Sequence, residues 1–310
     1  MAPASVFDKF ITIGGGKGGV GKTTAAAGIA AALALSGHKV IIIDADLDAP
    51  NLHLFLGIKR PRKTMNEYLF GNSNLEEVIC ETCFSNLSMI CGAGGILELS
   101  NPGFQHKQKI ITNLIKQRAD FYIIDIGAGS DITASDFFSL SKRGIIVLDV
   151  SPASLENAYG ALKNSIVRKL MLLFHDKPVI RDRIIFNSNP VKAGGFIPLE
   201  RVILNSCAGD TPASEKAFEA LKQFRPMVIV NNVMERKDAE LGRRFSQIVK
   251  KYLNVDCSYI GYIVDDPDVK LALRAVKPLP LFNPDSRGYR CLKTIADRIK
   301  KIYEGGENYA

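Results

Sequence analysis

Apolar residues in this chain fall into short continuous runs, separated by longer amphipathic stretches. Such runs are typical of strands buried on both faces of a parallel sheet, and the stretches between them have the periodicity of helices. This alternation predicts an α/β fold, in which a doubly wound, mostly parallel sheet carries helices on both faces and right-handed crossovers. Strands are predicted near residues 10–13, 40–43, 87–90, 121–126, 144–150, 227–230 and 258–263.

Residues 161–226 form a longer interval than one crossover helix needs. Residues 180–187 are compatible with a strand. Helices are predicted at residues 166–174, 199–205 and 215–223. We therefore predict a single domain over residues 1–310 with a mostly helical insertion at about 161–226, although an elaborated crossover explains this interval equally well.

The stretch GGGKGGVGKTT at residues 14–24 directly follows the first predicted strand. Gly16, Gly21, Lys22 and Thr23 match the spacing G-x-x-x-x-G-K-[ST] of a phosphate-binding loop. The loop lies between a predicted strand and an alanine-rich predicted helix, which is the context this motif requires. Glycines let backbone N–H groups converge on phosphate oxygens, and the amino end of the helix attracts the anion. We expect Lys22 to contact the β- and γ-phosphates and the Thr23 hydroxyl to ligate Mg²⁺. The expected nucleotide-binding residues here are Gly16, Gly18, Gly19, Val20, Gly21, Lys22, Thr23 and Thr24.

Two further predicted strands end in carboxylates. Asp44 and Asp46 follow the second strand, and Asp125 lies at the end of the strand near residues 121–126. Aspartates that merely cap a turn explain one of these residues but not such a pair after a phosphate loop.

Lys17, inside the loop, is a second lysine that an ordinary phosphate loop does not need. With it, the loop resembles the deviant Walker A motif of the MinD/ParA group of ATPases, especially the FlhG/FleN branch. This resemblance implies that Lys17 reaches across an ATP-dependent homodimer to the second nucleotide. The alternative is a solvated loop lysine.

Other motifs of that family follow in the expected order, from residue 10 to about 299. The resemblance to switch I implies that Asp46 orients the attacking water and that Asp44 helps hold the Mg²⁺ shell. The resemblance of residues 121–129 to Walker B and switch II implies that Asp125 binds Mg²⁺ through water and that the Gly127 N–H contacts the γ-phosphate.

A late segment, MVIVNNV, resembles the family strand whose Asn recognises adenine, and by register this residue is Asn231. A turn-forming role is the alternative, since Asn232 is adjacent. Two positions depart from the family pattern. Asp48 stands where relatives usually carry Gly, and Ser151 stands where they carry a Glu that contacts ribose.

The resemblance implies an ATPase with slow, partner-stimulated turnover, using ATP/ADP and Mg²⁺ and acting in the positioning of division sites, flagella or DNA. A ParA-like DNA-binding ATPase is the alternative, since a net charge of +8 permits binding to DNA or to an anionic membrane. An iron–sulfur carrier of the Mrp type or a small-molecule kinase is less favoured.

The chain contains no apolar segment of about twenty residues and no signal-peptide pattern at its start. We expect a cytoplasmic protein, with peripheral placement at the inner membrane face as an alternative. The face that would insert into such a membrane consists of Tyr289, Leu292, Ile295, Ile299 and Ile302 in the C-terminal helix. Packing of this face on the protein core is favoured.

Six cysteines occur: Cys80, Cys83, Cys91, Cys207, Cys257 and Cys291. In a cytoplasmic protein we expect reduced thiols. Isolated buried thiols are favoured over a zinc site, because no second pair completes Cys80, Cys83 and Cys91 to a tetrahedral set.

Overall fold

In a computed structural model of the chain, the described residues are 9–46, 49–92, 104–127, 132–195 and 197–304. Within these ranges eight strands form one sheet. They are β1 Phe10–Gly14, β2 Val40–Ala45, β3 Ile79–Glu81, β4 Leu87–Ile90, β5 Phe121–Ile126, β6 Ile145–Asp149, β7 Met227–Val233 and β8 Ser258–Val264. Their order across the sheet is β3-β4-β2-β5-β1-β6-β7-β8.

Every strand pair is parallel except the edge pair β3 and β4, which is antiparallel. The seven predicted strands are therefore confirmed. Strand β3 was not predicted, because it is only three residues long and is partly exposed, so it has no apolar run.

Fourteen α-helices connect the strands in the described ranges. They are α1 Lys22–Leu35, α2 Leu52–Phe55, α3 Met65–Leu69, α4 Leu75–Val78, α5 Phe104–Ile115, α6 Ile132–Leu140, α7 Pro152–Leu173, α8 Pro178–Ser188, α9 Leu199–Ser206, α10 Thr211–Gln223, α11 Leu241–Leu253, α12 Pro267–Arg274, α13 Leu279–Phe282 and α14 Arg287–Glu304. A short 3₁₀ helix spans Asp238–Glu240.

Helices cover both faces of the sheet, as predicted. Successive residues of a strand point to opposite faces, so Phe10 joins one apolar cluster and Ile11 joins the other. The first cluster includes buried residues of α5, α6, α7 and α11, and the second includes those of α1 and α14. Both clusters continue across the central strands, which explains why these strands appear as unbroken apolar runs.

The described residues between 161 and 226 form the rest of α7 and the helices α8, α9 and α10. The strand considered at residues 180–187 was wrong. Pro178 occupies the first turn of α8, where its missing N–H costs nothing, and Ile180 and Ile184 bury one face at helical spacing. Buried side chains of α8, α9 and α10 belong to the same apolar cluster as one face of the sheet. That these helices are an insertion relative to the family stays a prediction.

Helix α14 packs on the core. Its apolar face is buried, and it lies directly against α1, where a Cβ added to Gly28 would come within 2.4 Å of Leu292. The C-terminal face considered for membrane insertion is therefore occupied by packing against the sheet. Among the described residues, no helix has the length and apolar character needed to cross a bilayer.

The substitution Leu292→Ala should lower the free energy of unfolding by about 2–5 kcal/mol, because it opens a cavity between α14 and Gly28. Urea denaturation followed by circular dichroism measures this change. The matched control Leu271→Ala, at a position 44% exposed on α12, should change stability by less than about 0.5 kcal/mol. Equal effects of the two substitutions would contradict the core placement of α14.

Candidate nucleotide site

The loop between β1 and α1 is shaped by contacts that only glycine permits. A Cβ on Gly16 would lie 2.0 Å from the carbonyl oxygen of Asn157 in α7. Gly21 has φ 92°, and a Cβ there would lie 2.0 Å from Nδ2 of Asn231. The loop backbone is therefore held between α7 and β7, and its N–H groups are left free of side-chain bulk.

Lys22 begins α1 and points back under the loop. It is only 7% exposed, and its Nζ donates to the carbonyl oxygen of Lys17 at 3.4 Å. Burial lowers the pKa of Lys22, and the charges of Asp125 and Asp46 oppose this effect. The ammonium group thus lies between the loop and the carboxylates, where it can bind an anion seated on the loop.

Asp44 and Asp125 are opposite each other in the register of β2 and β5. The Asp44 carboxylate accepts hydrogen bonds from the N–H groups of Asp46 at 3.2 Å and Leu52 at 3.1 Å. The Thr23 hydroxyl is close enough to Asp125 to lower the pKa of that carboxyl, whereas Oδ1 of Asp125 is buried without a hydrogen-bond partner. A buried carboxylate oxygen without a partner is costly, so this oxygen indicates a missing group.

Both carboxyl groups are strongly perturbed. Burial raises the pKa of Asp44 to about 7, although the N–H groups of Leu52 and Asp46 lower it. Burial also raises the pKa of Asp125 well above its ordinary value, and the neighbouring Asp44 charge adds to this. A cation placed here would favour both ionised forms.

These observations fit Mg²⁺. The Thr23 hydroxyl can provide a direct ligand, and the two aspartates can hold waters of the ion. In the part of the chain that the structure describes, no three His, Cys, Asp or Glu side chains converge to hold a metal directly. A site that uses one hydroxyl, waters and ligand phosphates is compatible with that finding.

Asp46 and Gly127 directly follow the paired strands β2 and β5 and lie side by side. A Cβ on Gly127 would lie 3.3 Å from the Asp46 carboxylate, which accepts a hydrogen bond from the Ala49 N–H at 3.0 Å. Asp46 is half-buried. Asp48, which departs from the family pattern in sequence, lies outside the described residues.

The remaining loop residues lie farther out. Lys17, Gly18 and Gly19 are exposed, Val20 is buried, and Thr24 is half-buried in the first turn of α1. The structure therefore gathers Lys22 and Thr23 with the strand-end carboxylates, but it leaves the Lys17 side chain in solvent.

Asn231 lies against the loop between β1 and α1. It is 6% exposed, and its Nδ2 donates to the carbonyl oxygen of Val20 at 2.8 Å. The Asn231 amide still has a second donor hydrogen and an acceptor oxygen, and these can form hydrogen bonds with a base. Sequence reasoning missed this support, because the two residues are far apart in the chain.

Ser151 has a structural use at the start of α7. Its hydroxyl donates to Oδ1 of Asp149 at 2.6 Å and accepts from the N–H of Ser154 at 3.2 Å, as a helix N-cap does. The pattern Asp-x-Ser-x-x-Ser at the end of β6 is the local sequence signal that predicts this cap.

Comparison with known proteins agrees with this geometry. Residues 11–278 match the model of the CobQ/CobB/MinD/ParA nucleotide binding domain. The chain belongs to this family.

One relative of this chain is the flagellum site-determining protein YlxH of Helicobacter pylori, which is 33% identical to it over 168 residues. That match covers 52% of this chain and 56% of YlxH, so the chain spans about half the length of that relative. The antiactivator FleN of Pseudomonas aeruginosa is 27% identical, with 93% of this chain and 85% of FleN covered.

The septum site-determining protein MinD of Pyrococcus horikoshii, solved in complex with Mg-ADP, has the same fold. Its TM-score is 0.65 at 22% identity, with 97% of this chain and 99% of that chain covered. The expected fold and family are confirmed.

The raised pKa values predict a pH dependence of stability in the nucleotide-free protein. A carboxyl whose pKa is higher in the folded chain than in the unfolded chain binds more protons when folded, so stability falls as pH rises. For Asp44 this window runs from about pH 4, the ordinary value, to about 7. The free energy of unfolding should fall by at most about 1.4 kcal/mol per pH unit for this carboxyl.

Urea denaturation at several pH values measures this slope. Asp44→Asn should flatten it, because the amide cannot ionise. The amide keeps only one of the two oxygens that accept from the Asp46 and Leu52 N–H groups, so the variant should also be less stable at every pH. The control Asp182→Asn, at an exposed position on α8, should retain the parent slope. A parent slope of zero between pH 4 and 7 would contradict the placement of Asp44.

Proposed function

We propose that this chain is an ATP-dependent dimerisation switch of the MinD and FlhG type, which hydrolyses ATP to ADP and phosphate. The observation that supports it most is the orphaned, buried Oδ1 of Asp125 beside Thr23 and Lys22, at the base of a phosphate-binding loop. A cation and an anion together would satisfy this group of side chains, and a magnesium nucleotide supplies both.

In this proposal the loop N–H groups and Lys22 hold the β- and γ-phosphates. Thr23, Asp44 and Asp125 would hold the metal, the two aspartates through water. Mg²⁺, when bound, neutralises phosphate charge. Asp46 orients the attacking water, and the Gly127 N–H donates to the γ-phosphate. Catalysis then comes from positioning and electrostatic stabilisation.

The placement of Asp46 beside Gly127 supports a switch. The two residues directly follow β2 and β5, and a Cβ added to Gly127 would lie 3.3 Å from the Asp46 carboxylate, so a γ-phosphate bound by the Gly127 N–H would lie near Asp46. The exposed side chain of Lys17 is free to reach a second copy of the chain. ATP-dependent homodimerisation through Lys17 is therefore part of the proposal.

Asn231 is proposed to recognise adenine. Its amide is already fixed by Val20, so the base would meet a side chain that needs no further ordering. Recognition of the base would then be coupled directly to the position of the phosphate loop.

The names of the relatives support a role in spatial positioning. YlxH is a flagellum site-determining protein and the Pyrococcus protein is a septum site-determining protein. We propose that this chain positions a cellular structure in the cytoplasm or peripherally at the inner membrane face. Slow turnover that a protein partner stimulates belongs to the same proposal.

Dimerisation is tested by light scattering after size-exclusion chromatography, with ATP·Mg²⁺ and with ADP·Mg²⁺. The parent should be dimeric only with ATP, and Asp46→Ala should extend the lifetime of the dimer because hydrolysis stops. Lys17→Ala should stay monomeric, because the contact across the dimer is removed.

A matched control is Lys192→Ala, which removes another exposed lysine far from the loop in sequence and should behave as the parent does. Parent protein that binds ATP and stays monomeric would reject the switch and favour a kinase or an ATPase assembled by another protein.

A further inference from the structure

Two cysteines meet at the antiparallel edge of the sheet, contrary to the prediction of isolated thiols. Cys80 lies in β3 opposite Met89 of β4, and Cys91 directly follows β4 on the same face. The Sγ atoms of Cys80 and Cys91 are 3.7 Å apart. They are therefore in contact without being bonded, and a closure to about 2.05 Å would join them.

The two thiols differ in access to solvent. Cys91 is 1% exposed, whereas Cys80 is half-buried. The hydrogen bond from Cys91 lowers the pKa of Cys80, which favours its thiolate. Cys80 is thus the thiol that an oxidant reaches first, and Cys91 is placed behind it as the resolving thiol.

We propose that Cys80 and Cys91 form a reversible disulfide when the protein meets a small-molecule disulfide such as oxidised glutathione. The Cys80 thiolate attacks one sulfur of the oxidant, which forms a mixed disulfide and releases one thiol. The Cys91 sulfur then attacks Sγ of Cys80, so the protein disulfide forms and a second thiol leaves. The two protons lost by the cysteines are taken up by the departing thiolates, and the oxidant is reduced to two thiols.

The neighbouring cysteine is a built-in control. Cys83 is exposed, and its Sγ donates to the carbonyl oxygen of Leu56 at 3.9 Å, away from the pair. The Cys-x-x-Cys spacing of Cys80 and Cys83 would favour a bond between them, but the geometry favours Cys91.

The disulfide lies beside the nucleotide site. Gly92 follows Cys91, and a Cβ on Gly92 would be 3.1 Å from the carboxyl carbon of Asp44 and 2.6 Å from Pro50. The Cys91 carbonyl also accepts the Met65 N–H at 2.8 Å. The backbone at Gly92 therefore lies beside the Asp44 carboxyl, so a shift of Cys91 toward Cys80 would change the surroundings of Asp44. This consequence rests on the proposed function of the site, whereas formation of the disulfide does not.

The full-length protein is incubated with graded ratios of oxidised to reduced glutathione, alkylated in denaturant and analysed by intact mass and peptide mapping. The parent and Cys83→Ser should lose the mass of two hydrogen atoms and give one peptide pair linked through Cys80 and Cys91. Cys80→Ser and Cys91→Ser should show neither the mass loss nor the linked peptide pair. Cys91→Ala replaces Cys91→Ser if the latter does not fold. Absence of the linked pair across the whole redox range, a protein disulfide to Cys83, or a glutathione adduct that persists on Cys80 would overturn the proposal.

Calorimetric titration with ATP·Mg²⁺ then compares the two redox forms. The oxidised parent and oxidised Cys83→Ser should bind several-fold more weakly than their reduced forms, and the affinity of Cys80→Ser should not change with the oxidant. Equal affinity of both forms would overturn the coupling to the site. If neither form binds ATP, the proposed function fails, while the peptide map still reports the disulfide independently.

Discussion

Two buried carboxylates in adjacent strands dominate the electrostatics of this protein. Asp44 and Asp125 are paired in the register of β2 and β5, and both have raised pKa values because burial disfavours their ionised forms. Ionisation at neutral pH without a counter-ion costs free energy, which Lys22 offsets only in part. Positive charge placed at this site would therefore stabilise the ionised carboxylates. For this reason the stability of the site depends on the binding of metal and nucleotide.

The surroundings of the loop explain how such a site is kept in shape. Asn157 of α7 touches Gly16 from one side, and Asn231 of β7 holds the Val20 carbonyl from another. Helix α7 also packs against α8 and α10, so the contact at Asn157 joins the loop directly to that helical layer. Packing this tight leaves no room for a side chain at Gly16 or Gly21, so these two glycines are structural requirements as well as phosphate-binding features.

Much of this could be predicted from the sequence, since the loop spacing and the aspartates at strand ends are local signals. The sheet followed from apolar runs, and α9 and α10 from amphipathic periodicity. Helix α8 was ambiguous because Ile184, Ile185 and Phe186 are consecutive, and only Pro178 indicated a helix start. The contacts of Asn231 and Gly16 and the meeting of Cys80 with Cys91 are tertiary contacts, which no local pattern encodes.

Asp125 and Asp44 lack a positive counter-ion that a metal bound together with the nucleotide would supply. Isothermal titration of the parent and of Asp125→Asn with ATP, in Mg²⁺ and in EDTA, tests it most directly. Mg²⁺ should tighten ATP binding by the parent at least about tenfold, equivalent to ~1.4 kcal/mol, and Asp125→Asn should lose most of that gain. Equal ATP affinity of the parent with and without Mg²⁺, or an unchanged Mg²⁺ effect in Asp125→Asn, would contradict it.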